Sequence, residues 1–224
     1  MRIRWCVGFG CETGAKNGTH NTVIPRALST GNCTLRPDCM VREVLVDDQG
    51  RASGVSYHDA SDRLQEQPAD IVVVSAGAIE SARLLLSSKS RLFPNGIGNR
   101  YDWVGRNLQG HTYTGATGLF EQMTYDDVGP GANIAICDYN HGTRGLTGGG
   151  MLANEFIRLP IQFMGRAPEG VPRWGKGHKD YMRQFYRRNI VIMGPTQDMP
   201  LAESRIEPVQ FNPLQPGKCR ATFG

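Results

Sequence analysis

Ala76, Gly77, Ala78 and Ser81 are small residues set between an apolar, β-branched run, ADIVVVSAG (69–77), and an apolar-periodic run that ends at Ser88. Small side chains where a strand passes into a helix let backbone N–H groups and the positive helix end come close to a phosphate or an adenosine. The chemistry offered by residues 76–81 is therefore binding rather than bond making. A strand–glycine–helix turn occurs in any α/β domain, so these residues define a geometry and not yet a ligand. Two other glycine-rich stretches lack that geometry. Gly8, Gly10 and Gly14 in VGFGCETG are followed by AKNGTHN, which is no helix, and no acidic residue stands about 20 positions on to take a ribose. GTRGLTGGGM (142–151) lacks the Lys-Ser/Thr ending and preceding strand of a phosphate cradle, and is expected to be a close-packed loop.

Side chains capable of acid–base, nucleophilic or metal chemistry are sparse. Of the five histidines, His111 in LQGH and His141 in DYNHG lie in a glycine-rich half where an imidazole facing a pocket could act as acid, base or donor. A surface or structurally bonded imidazole is the simpler account of each. The six cysteines, at 6, 11, 33, 39, 137 and 219, lack the paired spacing of zinc or iron–sulfur ligands, so no metal site is expected. No G-x-S-x-G serine and no Ser/His/Asp set is present to suggest hydrolysis.

The elements that must hold residues 76–81 can be read outward from them. Upstream, MVREVLV alternates imperfectly, DDQGRA supplies a hairpin turn, SGVSYHD returns as a second strand, and DRLQEQ offers a third, polar one. Together they predict an antiparallel meander. The following ADIVVVSAG is unbroken in apolar character, the pattern of a strand covered on both faces. In the helix beyond it, Ile79, Ala82 and Leu86 share one face at i, i+3 and i+7, which predicts that they pack inward while Glu80 and Arg83 stay out. THNTVIPRALSTG (19–31) predicts a short helix capped by Thr19 and ended by Gly31. LFPNGIGNRYD (92–102) is rich in turn formers and marks a boundary. Past it, LQGHTYTGATGLFEQ, GPGANIAICDYNHG and NIVIMGPTQD predict the strands of a mixed sheet with long loops. The expected fold class is mixed α/β, in two parts, 1–100 and 101–224.

Composition excludes several classes. At 224 residues, 39% hydrophobic and 21% charged, the chain can bury a sizeable core. No apolar run approaches the roughly 18–20 residues of a membrane span, and MRIRWCVGFGCETG lacks the apolar core of a signal peptide. The compartment stays open. A formal charge of +4 is only mildly basic, and the dense basic stretch RWGKGHKDYMRQFYRR (173–188) is expected to be a solvated helix face rather than a nucleic-acid surface.

Four motifs in one order carry a family resemblance: GCETGAKNGTHNTVIPRAL, VVVSAGAIESARLLLSS, GNRYDWVGRNLQGHTYTGATGLF and GGGMLANEFIRLP. With them the chain resembles the glucose-methanol-choline (GMC) oxidoreductases, and among these the bacterial branch with gluconate and sugar dehydrogenase flavoproteins. The second motif is similar to the family's Gly-Ala-x-x-Ser signature, departing from it at Ala82, where Pro or Ser is usual, and at Lys89, where Gly is usual. The resemblance implies FAD as cofactor and oxidation of CH–OH groups in alcohols or sugars. It also implies a partial Rossmann-like FAD domain with its meander, followed by part of a mixed-sheet substrate domain. By the same resemblance residues 76–81, with Ala76, Gly77, Ala78 and Ser81, lie beside the FAD, and Val41 offers its backbone to the adenine.

The family's opening G-x-G-x-x-G helix and its closing catalytic histidine segment have no match here, so no catalytic residue is assigned. Residues 1–224 resemble the middle of such an enzyme, with weak or no flavin affinity and no turnover expected of them alone. A non-catalytic remnant or a nucleotide- or partner-binding module is the alternative. A flavoprotein of the two-dinucleotide type fits the glycine-rich second half less well.

Overall fold

The computed structural model describes residues 14–124, 134–145, 147–154, 159–208 and 219–222. Cys6, Gly8, Gly10 and Cys11, and residues 129–133 of GPGANIAICDYNHG, lie outside the described residues. In chain order the elements are α1 (Val23–Ser29), β1 (Met40–Val46), β2 (Ala52–His58), β3 (Leu64–Pro68), α2 (Gly77–Ser87), β4 (His111–Leu119), β5 (Ala135–Ile136), β6 (Leu152–Asn154), α3 (Pro160–Gly165), α4 (Gly175–Phe185), β7 (Asn189–Gln197), β8 (Arg205–Pro208) and β9 (Cys219–Thr222). They fall into two compact units, Thr19–Gln109 with Met199–Gly224, and Gly110–Asp198 with Met1–Gly18. The mixed α/β class expected from the sequence is what is found, with every described sheet antiparallel.

In the first unit the meander forms as its pattern predicts, in the order β1-β2-β3. Its two hairpins use one device twice. Asp47 Oδ1 accepts the N–H of Gln49 at 2.9 Å and of Arg51 at 2.8 Å, while Arg51 Nε returns to Oδ2 at 2.9 Å. Asp59 does the same with Ser61, at 2.9 Å, and with the N–H and Nε of Arg63, both at 3.1 Å. Each turn needs a left-handed residue just before the arginine, supplied by Gly50 at φ +80° and Asp62 at φ +59°. An aspartate whose side chain substitutes for backbone acceptors is well suited to such a turn. Because these N–H groups favour the charged carboxylate, both carboxyls titrate below the usual aspartate range, the N–H of Arg51 or Arg63 being the largest cause.

α2 packs against β1 and β8. Val44, Leu84, Leu86 and Ile206 form the buried apolar centre. Ser88, only 2% exposed, ties the two main elements: its hydroxyl accepts the Val44 N–H at 2.8 Å and donates to the Leu84 carbonyl at 2.6 Å. β1 is an edge strand, so this hydroxyl satisfies a donor that no neighbouring strand can reach. The loop after α2 closes over it at Gly96, where a Cβ would stand 2.6 Å from the Leu85 carbonyl and φ is +96°. Asp102 then pairs with Arg106 and, at 3.3 Å, with Arg205 at the start of β8, and these cations, Arg106 foremost, hold its carboxyl below the usual range.

Three expectations fail in this unit. Residues 71–75 belong to neither helix nor strand, and Ile71 and Val73 are each 80% exposed. A parallel strand needs neighbours to pair with, and among the described residues none pairs with this run, so its apolar faces stay uncovered. On α2 the inward residues are Arg83, Leu84 and Leu86, while Ile79 is 41% exposed. The helix turns toward β1 and β8 on one side only, and that side includes Arg83. Finally, α1 begins after Thr22 rather than Thr19, although the Thr19 carbonyl accepts the Ile24 N–H at 2.9 Å. Its end is as expected, with Gly31 at φ +74°.

The second unit is built on a four-stranded sheet in the order β4-β7-β6-β5, wholly antiparallel rather than the mixed sheet expected. Phe163 of α3 stacks on Tyr181 of α4 with ring centres 5.3 Å apart, and burial raises the Tyr181 phenol above its ordinary range. Asn189 closes α4 by donating to the carbonyls of Phe185 and Tyr186 at 3.0 and 2.7 Å. Of the glycine-rich stretch 142–151, in which Leu146 lies outside the described residues, the end is close-packed and the beginning is not: a Cβ on Gly149 would lie 1.7 Å from the Asn140 carbonyl, whereas one on Gly142 or Gly145 would meet nothing within 4 Å. Among the described residues no helix is long and apolar enough to cross a membrane.

Candidate functional site

The small-residue turn sits at the start of α2. Gly77 opens the helix at φ +79°, and a Cβ placed on it would meet nothing within 4 Å. The N-cap residue, Ala76, makes no side-chain capping bond, and residues 76–80 are all exposed. Ser81 braces the approach from inside the helix, its hydroxyl accepting the Ala76 N–H at 3.1 Å. The arrangement is an open helix N-terminus with small residues around it, which fits the close approach of an anionic nucleotide.

Val41 stands where β1 is irregular. Its register partner is Tyr57, whereas Glu43 pairs with Ser56, so Arg42 is an extra residue and the strand bulges. A bulge re-aims peptide groups that would otherwise lie in the ladder, which is what a backbone contact to a flat base requires. Arg83 joins the bulge to the turn. Its side chain is 8% exposed, its Nε donates to Glu80 Oε2 at 2.7 Å, and its Nη2 donates to the Val41 carbonyl at 3.4 Å. The sequence reading placed Arg83 outside because an arginine on an amphipathic helix normally faces solvent. The i, i+3 spacing from Glu80 was the signal that its charge had a partner.

Of the remaining candidates, His111, His141 and Cys137 belong to the other compact unit. His111 begins β4 and is exposed, its ring meeting Tyr113 edge-on at 6.2 Å, and His141 is exposed in the loop after β5. Cys33, Cys39 and Cys137 are free thiols. Among the described residues no group of three or more His, Cys, Asp or Glu side chains is placed to hold a metal.

Residues 5–113 match the family described as GMC oxidoreductase, a span that contains the bulge, the turn and Arg83. By that match residues 5–113 belong to the GMC oxidoreductase family. It is 30% identical over 202 residues to the gluconate 2-dehydrogenase flavoprotein of Pantoea cypripedii, covering 83% of this chain and 32% of the relative. It is 27% identical over 198 residues to the 2-methyl-1,2-propanediol dehydrogenase of Mycolicibacterium austroafricanum, covering 86% and 36%. Paromamine 6'-oxidase of Streptomyces fradiae is 30% identical over 164 residues, covering 69% and 30%. The chain thus spans about a third of the length of these GMC relatives.

Proposed function

We propose that the chain serves an FAD-dependent oxidation of CH–OH groups in small alcohols or sugars. The observation that carries this reading is the exposed, small-residue start of α2 beside the β1 bulge, inside the span that matches the GMC oxidoreductase family. Relatives named as dehydrogenases and oxidases of alcohols and sugars support the substrate class.

Ala76, Gly77 and Ala78 let the nucleotide approach the helix start, Ser81 keeps the turn in shape, and the Val41 peptide offers the adenine a backbone contact. A bound flavin would supply the acceptor for the hydride leaving the CH–OH carbon, as the hydroxyl proton passes to a base. Residues 1–100 are assigned to the flavin side and residues 101–224 to the substrate side, β8 and β9 lying in the same compact unit as 19–109.

The test is a titration of the purified chain with FAD, read by the visible spectrum and by flavin fluorescence. The expected result is a perturbed spectrum that weakens when Gly77→Val fills the turn. A chain that leaves both signals unchanged even at millimolar FAD overturns the assignment of residues 41 and 76–81.

A further inference from the structure

Among the described residues one charged side chain is buried, and none of the binding roles proposed above falls to it: the guanidinium of Arg83, 8% exposed in its side chain. A buried cation is costly unless paired and hydrogen-bonded, so its partners define its role. One is the Glu80 carboxylate at 2.7 Å, in the first turn of α2. The other is the Val41 carbonyl at 3.4 Å, at the bulge of β1. These partners are 39 positions apart in sequence and belong to the two pieces of backbone that the proposed nucleotide site needs together. A guanidinium is planar and carries its donors in a rigid fork, so it fixes the distance and the angle between the groups it joins, which a flexible ammonium does not.

We infer that Arg83 is the positioning residue of the nucleotide site, setting the peptide that follows Val41 against the first turn of α2. The inference rests on the proposed flavin reading for its ligand, though not for its geometry. By holding the Val41 carbonyl, Arg83 fixes the plane of the 41–42 peptide and hence the direction in which the bulge presents its polar groups to a base. By pairing with Glu80, it also offsets a negative charge that would otherwise face the phosphates at the helix start. Arg83 therefore acts on both the adenine end and the phosphate end of the ligand, without touching either.

The experiment uses the full chain with Arg83→Met, Arg83→Lys, Glu80→Gln and the double variant Glu80→Gln/Arg83→Met. Hydrogen exchange without ligand is read first. Arg83→Met is expected to speed exchange at residues 42–43 and at 80–83, the first amides bonded within α2, together, while the centre of β2 at Val55 and Ser56 stays protected; Arg83→Lys is expected to restore this in part. Unchanged exchange at both places, or a change at only one, overturns the inference.

FAD and FMN are then titrated as probes. Arg83→Met is expected to weaken FAD by about tenfold or more and FMN, which lacks the adenine, by distinctly less. Glu80→Gln/Arg83→Met is expected to regain the phosphate part of that loss and not the adenine part. Equal losses for the two flavins would reduce Arg83 to a purely structural residue. If FAD protects neither segment in the unaltered chain, the flavin reading fails, and the ligand-free exchange alone decides for or against Arg83. Should Arg83→Met not fold, Arg83→Lys and Glu80→Gln carry the same comparison.

Discussion

Residues 40–68 close their turns on themselves, whereas residues 71–80, which follow almost at once, leave apolar side chains and a helix start open to solvent. The meander is satisfied locally: its aspartates supply acceptors to their own hairpins, and its edge donor at Val44 is met by Ser88. The segment after it is not. Ile71 and Val73 are 80% exposed, and the N-cap residue of α2, Ala76, makes no side-chain capping bond. Self-satisfied backbone is what stability requires, and open backbone on a braced turn is what binding requires. The contrast separates the residues that hold the unit together from those available to a ligand, and each substitution below probes one side of it.

The largest effect is expected at Gly96. Its φ of +96° is unfavourable for an L side chain, and a Cβ would stand 2.6 Å from the Leu85 carbonyl and 2.7 Å from the Leu86 Cα. Gly96→Ala therefore combines left-handed strain with overpacking, each costing about 1–3 kcal/mol. Urea unfolding should show a loss within that combined range and an unchanged slope. A loss no larger than that of a surface substitution would mean that the loop does not close on α2.

Ser88→Ala should come next. It leaves the Val44 N–H buried without its acceptor and removes the bond to the Leu84 carbonyl. Leaving a buried donor unsatisfied costs about 1–3 kcal/mol, again read by urea. Gly77→Ala should cost less stability, about 1 kcal/mol, because the strain of φ +79° is unaccompanied by any clash. A nucleotide should feel the difference: Gly77→Ala weakens FAD more than Ser88→Ala does, if the division between the two regions is sound.

A smaller effect separates the hairpins by pH. Asp47 and Asp59 titrate below the usual aspartate value, chiefly because backbone N–H groups favour their charged forms. A carboxyl whose folded pKa is depressed stabilises the fold above its unfolded pKa, about 3.9, and loses that contribution as pH falls through the folded value. Asp47→Asn and Asp59→Asn should therefore lower stability near neutrality, where the charged carboxylates contribute in full, and flatten the acid limb below about pH 4. The measurement is the urea midpoint as a function of pH. An acid limb as steep in the double variant as in the parent would place the titrating groups elsewhere, with Asp102 the next to test.

How much of this was legible follows the same division. The meander could be read because alternation, an Asp-rich turn and a glycine are local signals that the structure honours locally. The α2 segment could be read as a helix, but not its orientation, since the inward face is chosen by β1 and β8 and takes in Arg83. β8 lies more than a hundred positions away from α2, and no periodicity in the helix points to it. The bulge at Val41–Glu43 was equally hidden: the imperfect alternation of MVREVLV is its trace, but nothing in it says which residue is extra. Positions 71–75 were misread for the opposite reason. Their pattern states correctly that both faces are apolar and says nothing of what covers them.

That last point yields the smallest and most discriminating prediction. If Ile71 and Val73 are as exposed in solution as in the structure, Ile71→Ser/Val73→Ser should change unfolding stability by no more than about 0.5 kcal/mol, the usual range for surface substitutions. It should also lower self-association measured by light scattering, because it breaks a β-branched apolar run of the kind that invites strand pairing. The flavin titration should not move, since neither side chain is among the residues assigned to the nucleotide. A loss above about 1 kcal/mol would mean that the run is covered after all, whether by this chain or by a second copy. Concentration dependence would tell the two apart, because only a cover supplied by another copy makes the unfolding midpoint rise with protein concentration.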